Sequence, residues 1–126
     1  ECPLLHPTWL MRRATFASHG YREVPWAEDY DLLLRVLQDG LHLGVVPRLL
    51  HAWRRGPGTA TATDPRYAPA TFPKLKAAFL ATGLLAGTDR YVLWGHGGTG
   101  RQLRRELLRL GRRPTVVGRA CRRHSL

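Results

Sequence analysis

Arg90-Tyr91-Val92-Leu93-Trp94-Gly95-His96-Gly97-Gly98-Thr99-Gly100 runs into a Leu- and Arg-rich stretch over 101–110, then Gly111 and Thr115-Val116-Val117. A short apolar run flowing into glycines, a helical stretch stopped by glycine and a second β-branched run spell one strand–helix–strand unit. The chain is therefore expected to be α/β. Within the run, Gly95-x-Gly97-x-x-Gly100 fits the dinucleotide fingerprint and has the strand before it and the helix after it that the fingerprint requires. Glycines allow a tight turn and close approach of a pyrophosphate. The amides opening the helix, with Arg101 beside them, would face its phosphates. The fingerprint also wants an acid about 20 residues on, to hold the ribose hydroxyls. Here Val117 is followed by Gly118-Arg119-Ala120-Cys121-Arg122-Arg123. Two readings stay open: a dinucleotide site at Gly95, Gly97, Gly100 and Arg101, or a structural turn in a half-domain.

Outward from this segment, at 90–118, the chain ends in 119–126, a basic stretch without periodicity that reads as a disordered tail. Upstream, 65–89 reads as a connecting helix from Pro69 to Thr82. Its Phe72, Leu75, Lys76, Phe79 and Leu80 form an apolar face, with Phe72, Leu75 and Phe79 expected between two partial sheets. From 54 to 65, Gly, Pro and Thr without periodicity read as a loop that supports no packed element. In 1–64, the spacing predicts a short strand at Thr8-Trp9-Leu10-Met11 and a helical turn from Arg13 to His19 ended by Gly20. A helix capped by Glu28 or Asp29 and stopped by Gly40 follows, with Tyr30, Leu33, Leu34 and Leu37 inward. Strands are expected from His42 to Val46 and from Leu49 to Trp53.

At 126 residues the chain can build one modest core. No apolar run approaches the ~20 residues of a membrane span, and the amino terminus has no basic region leading into an apolar stretch. A cytoplasmic protein with two free thiols, Cys2 and Cys121, is the default expectation. Six scattered histidines, without H-E-x-x-H or a cysteine partner, predict no metal site in this chain. The net charge of +11 is uneven: residues 1–63 carry seven Lys or Arg against six Asp or Glu, residues 64–126 thirteen against three. The basic half suits an anionic partner or a solvated surface. The 101–110 helix lacks aromatic residues for base stacking, so no specific nucleic-acid partner is expected.

The richest chemistry lies in Pro25-Trp26-Ala27-Glu28-Asp29-Tyr30-Asp31-Leu32-Leu33-Leu34-Arg35, where an acidic pair opens a short helix. A carboxylate there can act as a helix cap, or can be held ready to accept a proton. Five blocks occur in order: His6-Pro7-Thr8 with Arg12-Arg13, Gly20-Tyr21, Glu28 through Arg35, Val46-Pro47-Arg48-Leu49-Leu50, and Trp53-Arg54. Together they make residues 5–64 resemble the C-terminal, acceptor-side part of family 2 glycosyltransferases of the GT-A type. Arg66-Tyr67 and Leu75-Lys76-Ala77 look like the connection some bacterial members have to an appended, here truncated, Rossmann-like segment.

The resemblance implies a partial GT-A acceptor-side region joined by a helix to one Rossmann-like βαβ unit. It implies inverting transfer from a nucleotide-sugar to a hydroxyl acceptor, a sugar or lipid-linked glycan, when a donor-binding half is supplied. Asp29 would be the base, with Glu28 ordering the site. Trp53, Arg54 and Trp26 are the candidates for sugar stacking and diphosphate contact. The family's divalent metal, Mg or Mn, would be held by the donor half. Asp29-Tyr30-Asp31 lacks the preceding apolar strand of the family's metal motif, so this chain alone is expected neither to bind the metal nor to turn over. The alternative from another class is a nucleotide- or dinucleotide-binding module without catalysis.

Overall fold

The computed structural model describes residues 2–54, 56–88, 90–95 and 97–117. The chain divides into two compact units, Glu1–Phe72 and Pro73–Leu126. The expected connecting segment is thereby split between them. The expected tail at 119–126, with Cys121, lies outside the described residues, as do Arg55 and His96.

The first unit is helical. A 3-10 turn at His6–Thr8 precedes α1 (Arg13–His19), which ends at Gly20, whose N–H donates to the Phe16 carbonyl. Next comes α2 (Glu28–Gln38), its first turn holding Glu28, Asp29 and Asp31, where negative charge meets the positive end of the helix dipole. Ala27 is the N-cap, and no side chain caps the helix, so the expected capping by Glu28 or Asp29 does not occur. At the other end Gly40 adopts φ +77°, and the Leu41 N–H turns back to the Val36 carbonyl at 3.2 Å. Only a residue at ease with positive φ closes a helix this way.

The core of this unit is Ala27, Tyr30, Leu32, Leu33, Val36 and Phe72, with Tyr30 and Phe72 ring centroids 6.2 Å apart. Leu34 is only half-buried and Leu37 is exposed. The inward face is thus rotated from the expected Tyr30–Leu33–Leu34–Leu37 stripe, because α2 also buries Asp29 and Asp31.

None of the strands expected at Thr8–Met11, His42–Val46 or Leu49–Trp53 forms. An extended apolar segment becomes a strand only when a ladder partner satisfies its amides. Among the described residues only β1 and β2, below, pair. Residues 37–54 are exposed throughout. The 54–65 stretch, expected to be loop alone, contains one helical turn, α3 (Ala60–Thr63), followed by a 3-10 turn at Pro65–Tyr67. Asp64 builds that second turn by accepting from the Arg66 N–H, which frees the chain from needing periodicity there.

The division between the units falls inside α4 (Thr71–Thr82). From Pro73 onward the second unit contains the rest of α4, β1 (Val92–Leu93), α5 (Gly98–Arg109) and β2 (Val116–Val117). The two strands pair parallel, with Val92 opposite Val116 and Leu93 opposite Val117, and α5 is the crossover. Ala77, Leu85 and Leu107 form the core, with Leu80, Tyr91 and Leu103 packed on it. Leu103 and Leu107 stand one turn apart on α5, and burying each is worth ~2 kcal/mol. The Tyr91 hydroxyl donates to the Arg112 carbonyl at 2.9 Å, and the Arg112 guanidinium donates to the Ala81 carbonyl at 3.0 Å.

Helices dominate, and the sheet is two strands of two residues each. The α/β expectation therefore reduces to one minimal crossover, too small to carry a Rossmann-like identity. Among the described residues the connecting helix correspondingly has no pair of partial sheets to lie between: Phe72 packs on Tyr30, Leu75 is fully buried and Phe79 is half-buried. Among the described residues no helix is long and apolar enough to cross a membrane.

Candidate functional site

Two carboxylates two residues apart on a helix point in nearly opposite directions, and α2 gives them opposite fates. Asp31 is 0% exposed. Arg22 grips it with both ends of its fork, Nε to Oδ2 and Nη2 to Oδ1, each at 2.8 Å. The Trp26 indole donates to Oδ1 at 3.0 Å, and Arg35, one turn along α2, donates from Nε to Oδ2 at 2.8 Å. Arg35 also donates to the carbonyls of His19 and Gly20 at the end of α1. Burial pushes the Asp31 carboxyl up, but hydrogen bonds from Arg22, Trp26 and Arg35 outweigh it and hold the pKa below the usual carboxylate value. Asp31 is held in its charged form and ties α2 to the chain before it.

Asp29 is 6% exposed and has no cationic side chain hydrogen-bonded to it among the described residues. Burial raises its pKa above the ordinary value. The Tyr30 N–H, donating to Oδ1 at 2.7 Å, and the His6 charge counter this, while neighbouring Glu28 adds to it. It lines a cavity of about 350 Å³ together with Cys2, His6, Glu28, Trp53 and Tyr67, among others. A carboxylate with a raised pKa, at the wall of a cavity with an aromatic side chain beside it, has the properties of a general base.

Glu28 opens α2 and is held from the Pro65–Tyr67 turn. The Tyr67 hydroxyl donates to its Oε1 at 3.0 Å, and Arg66 Nη1 stands 3.3 Å from Oε2. Arg66 is itself braced by Asp64, with Nη2 donating to Oδ2 at 2.6 Å. Glu28 Oε2 is buried and accepts no hydrogen bond, since the Arg66 group sits within ion-pair distance without the angle for one. Burial, the Asp29 charge and the bond to Glu28 together raise the Tyr67 pKa strongly, so its hydroxyl stays protonated and donating. His6, also in the lining, pairs through Nε2 with the Tyr21 hydroxyl.

Of the residues expected from sequence, Asp29, Glu28 and Trp53 meet on one cavity. Trp26 is turned to Asp31, and exposed Arg54 lies outside the cavity lining. Tyr67, Arg66 and His6 were not expected to act here. The Asp64-Pro65 spelling signals the turn that presents Arg66 and Tyr67, but nothing local says that the turn meets α2.

The glycine turn belongs to the second unit. Gly97 is the N-cap of α5, and the Arg101 N–H donates to its carbonyl at 2.9 Å. A Cβ on Gly100 would lie 2.0 Å from the Gly95 carbonyl oxygen. Gly100 is therefore required by the chain's own backbone, which explains the glycine without a ligand. Arg101 stands with Arg104, Arg105, Leu108 and Arg109 around a shallow hollow on α5.

Among the described residues no three His, Cys, Asp or Glu side chains gather to hold a metal. With both Asp31 oxygens already bonded to Arg22, Trp26 and Arg35, Asp29-Tyr30-Asp31 cannot offer a pair of ligands. These residues do not fit a divalent cation. Compared with family models, curated proteins and solved structures, the chain gives no match.

Proposed function

We propose that the first unit is the acceptor-side part of a glycosyltransferase of the family 2, GT-A kind, with Asp29 as the base of an inverting transfer to a hydroxyl. The observation that carries this reading is the buried, raised carboxylate of Asp29 on a cavity shared with Glu28 and Trp53. As the acceptor oxygen attacks the anomeric carbon of a nucleotide-sugar, Asp29 takes its proton, and the anomeric C–O bond to phosphate breaks so that the nucleoside diphosphate leaves from the far face. A base whose pKa has moved toward neutrality holds that proton more readily than an ordinary aspartate. The Trp53 ring, in the lining of the same cavity, offers a flat apolar wall on which a sugar ring stacks better than a simple alcohol does.

Donor binding is assigned to polypeptide outside these residues, and no step here runs through a metal. The Rossmann-like reading of the second unit rests on the parallel strand pair and the glycine turn alone. With a donor-binding half supplied, Asp29→Asn is expected to lower the transfer rate at least ~10²-fold, the usual worth of a general base. A rate within a factor of two of the parent would assign Asp29 to structure. For the chain itself, titration with oligosaccharides followed by tryptophan fluorescence should saturate, and Trp53→Ala should abolish the signal change.

A further inference from the structure

The charges around the Asp29 cavity are unevenly balanced. Glu28 and Asp29 both line it, from consecutive positions in the first turn of α2. Asp29 is 6% exposed, and the group that donates to its Oδ1 is a neutral amide, the Tyr30 N–H. Glu28 has Arg66 within ion-pair distance, 3.3 Å from Oε2, but Arg66 also donates to Asp64 Oδ2, from Nε at 2.9 Å and from Nη2 at 2.6 Å. Glu28 and Asp64 thus divide one guanidinium between them, and Asp29 has no share in it. Arg66 stands outside the lining, and among the described residues no Lys or Arg lines the cavity. His6 is the one described lining side chain that can carry positive charge, and its Nε2 is taken by the Tyr21 hydroxyl.

A ligand in this cavity meets carboxylate charge where little water is left to screen it. An anion on that ligand would give up its own hydration and find no lysine or arginine in exchange. It would also stand beside a like charge, which is costly at a desolvated contact. The rest of the wall suits an uncharged sugar. Leu5, Trp53 and Phe72 offer apolar surface to the C–H face of a ring, and Thr59 and Thr61 bring hydroxyls to its edge. At about 350 Å³ the cavity lies at the small end of the range for ligand pockets.

We propose that this cavity selects its acceptor by charge, taking a neutral sugar and rejecting uronic acids and phosphorylated or sulfated sugars through the carboxylate of Asp29, with Glu28 beside it. The inference rests on the reading of Asp29 as the base of a sugar transfer and adds the charge class of the acceptor. One aspartate then has two effects: it receives the proton of a hydroxyl, and it turns away an acceptor that would set an anion next to it. Selectivity of this kind comes from a contact made unfavourable for the wrong ligand.

Nuclear magnetic resonance titrations of the full chain at neutral pH test it. The probes are the phenyl β-glycosides of glucose, galactose and mannose, each beside the matching phenyl glycosiduronic acid, which differs in carrying a carboxylate at C6. The Trp53 indole N–H resonance reports binding. At least one neutral glycoside should saturate, with its uronic partner at least ~10-fold weaker. Asp29→Asn removes the charge and keeps an acceptor for the Tyr30 N–H, and should narrow that gap several-fold, with circular dichroism checking that the variant folds. A uronic acid bound as tightly as its neutral partner would overturn the inference and leave the base reading standing, because that reading is decided by the transfer rate. A gap unchanged in folded Asp29→Asn would overturn it as well, since the exclusion would then come from another group. Binding of none of these compounds would remove the sugar reading of the cavity, and the inference with it.

Discussion

The two units use arginine in opposite ways. In Glu1–Phe72, Arg22 and Arg35 reach inward to the fully enclosed Asp31, and Arg35 also collects the last carbonyls of α1. In Pro73–Leu126, arginine covers the outside of α5 while Leu107 and its neighbours make the core. The same side chain is an internal brace in one unit and a surface in the other. What separates the two uses is desolvation. Asp31 has lost its water entirely and Arg35 most of it, while Arg22 stays half exposed, so the enclosed carboxylate cannot lose its partners cheaply. An exposed guanidinium forfeits little when it is removed.

Four measurements could break or sharpen this contrast. The largest effect is expected for Asp31→Ala, which strands the mostly buried Arg35 guanidinium while half-exposed Arg22 turns to water, and should cost about 3 kcal/mol in denaturant unfolding of the first unit. A cost under ~1 kcal/mol would mean that Asp31 is no brace. Acid reports on the same group. Because the folded pKa of Asp31 lies below its unfolded value near ~3.9, its contribution is complete above that pH and drains away as pH falls through the lower, folded pKa. Unfolding of the first unit followed below about pH 4 should be steeper in the parent than in Asp31→Asn.

A smaller effect of opposite sign is expected at Asp29. Its folded pKa is raised, so the fold prefers the protonated carboxyl and loses stability as pH rises from the unfolded value through the folded one. At neutral pH the charged form is a burden. Asp29→Asn keeps an acceptor for the Tyr30 N–H and should gain about 1 kcal/mol, the sort of gain seen when an active-site group is relieved. A loss of stability at neutral pH would make Asp29 a supporting residue of α2. The smallest effect belongs to the second unit: Arg105→Gln should shift unfolding by less than ~0.5 kcal/mol. A cost above 1 kcal/mol would erase the distinction between braced and surface arginines.

Local signals exposed the helices. Gly20 and Gly40 end α1 and α2 where the sequence puts them, and the glycine turn does open α5 between two short strands. Strand formation was not legible at His42–Val46 or Leu49–Trp53. Alternation and β-branching describe a surface that fits a sheet, and the sheet itself has to come from elsewhere in the chain. The site was half legible. Asp29, Glu28 and Trp53 follow from the block resemblance, and the cavity joins them. Helical spacing puts Asp31 and Arg35 one turn apart on α2 and says nothing of their burial. Only the return of the chain through Arg22 and Trp26 turns that pair into an enclosed cluster, and that return is a tertiary fact. Tyr67 was missed for the same reason, since 39 residues separate it from Glu28.

The long exposed stretch at 37–54 carries Trp53 at its far end. Without a ladder its backbone keeps many conformations within reach in solution, so setting the indole against the cavity costs configurational entropy, ~1–2 kcal/mol for each residue newly fixed. A ligand that stacks on Trp53 supplies that ordering from its own binding energy and will bind more weakly than its contact area suggests. Calorimetry should then report favourable enthalpy set against unfavourable entropy. Amides between Leu41 and Trp53 that exchange freely in the empty protein should slow when the cavity is filled.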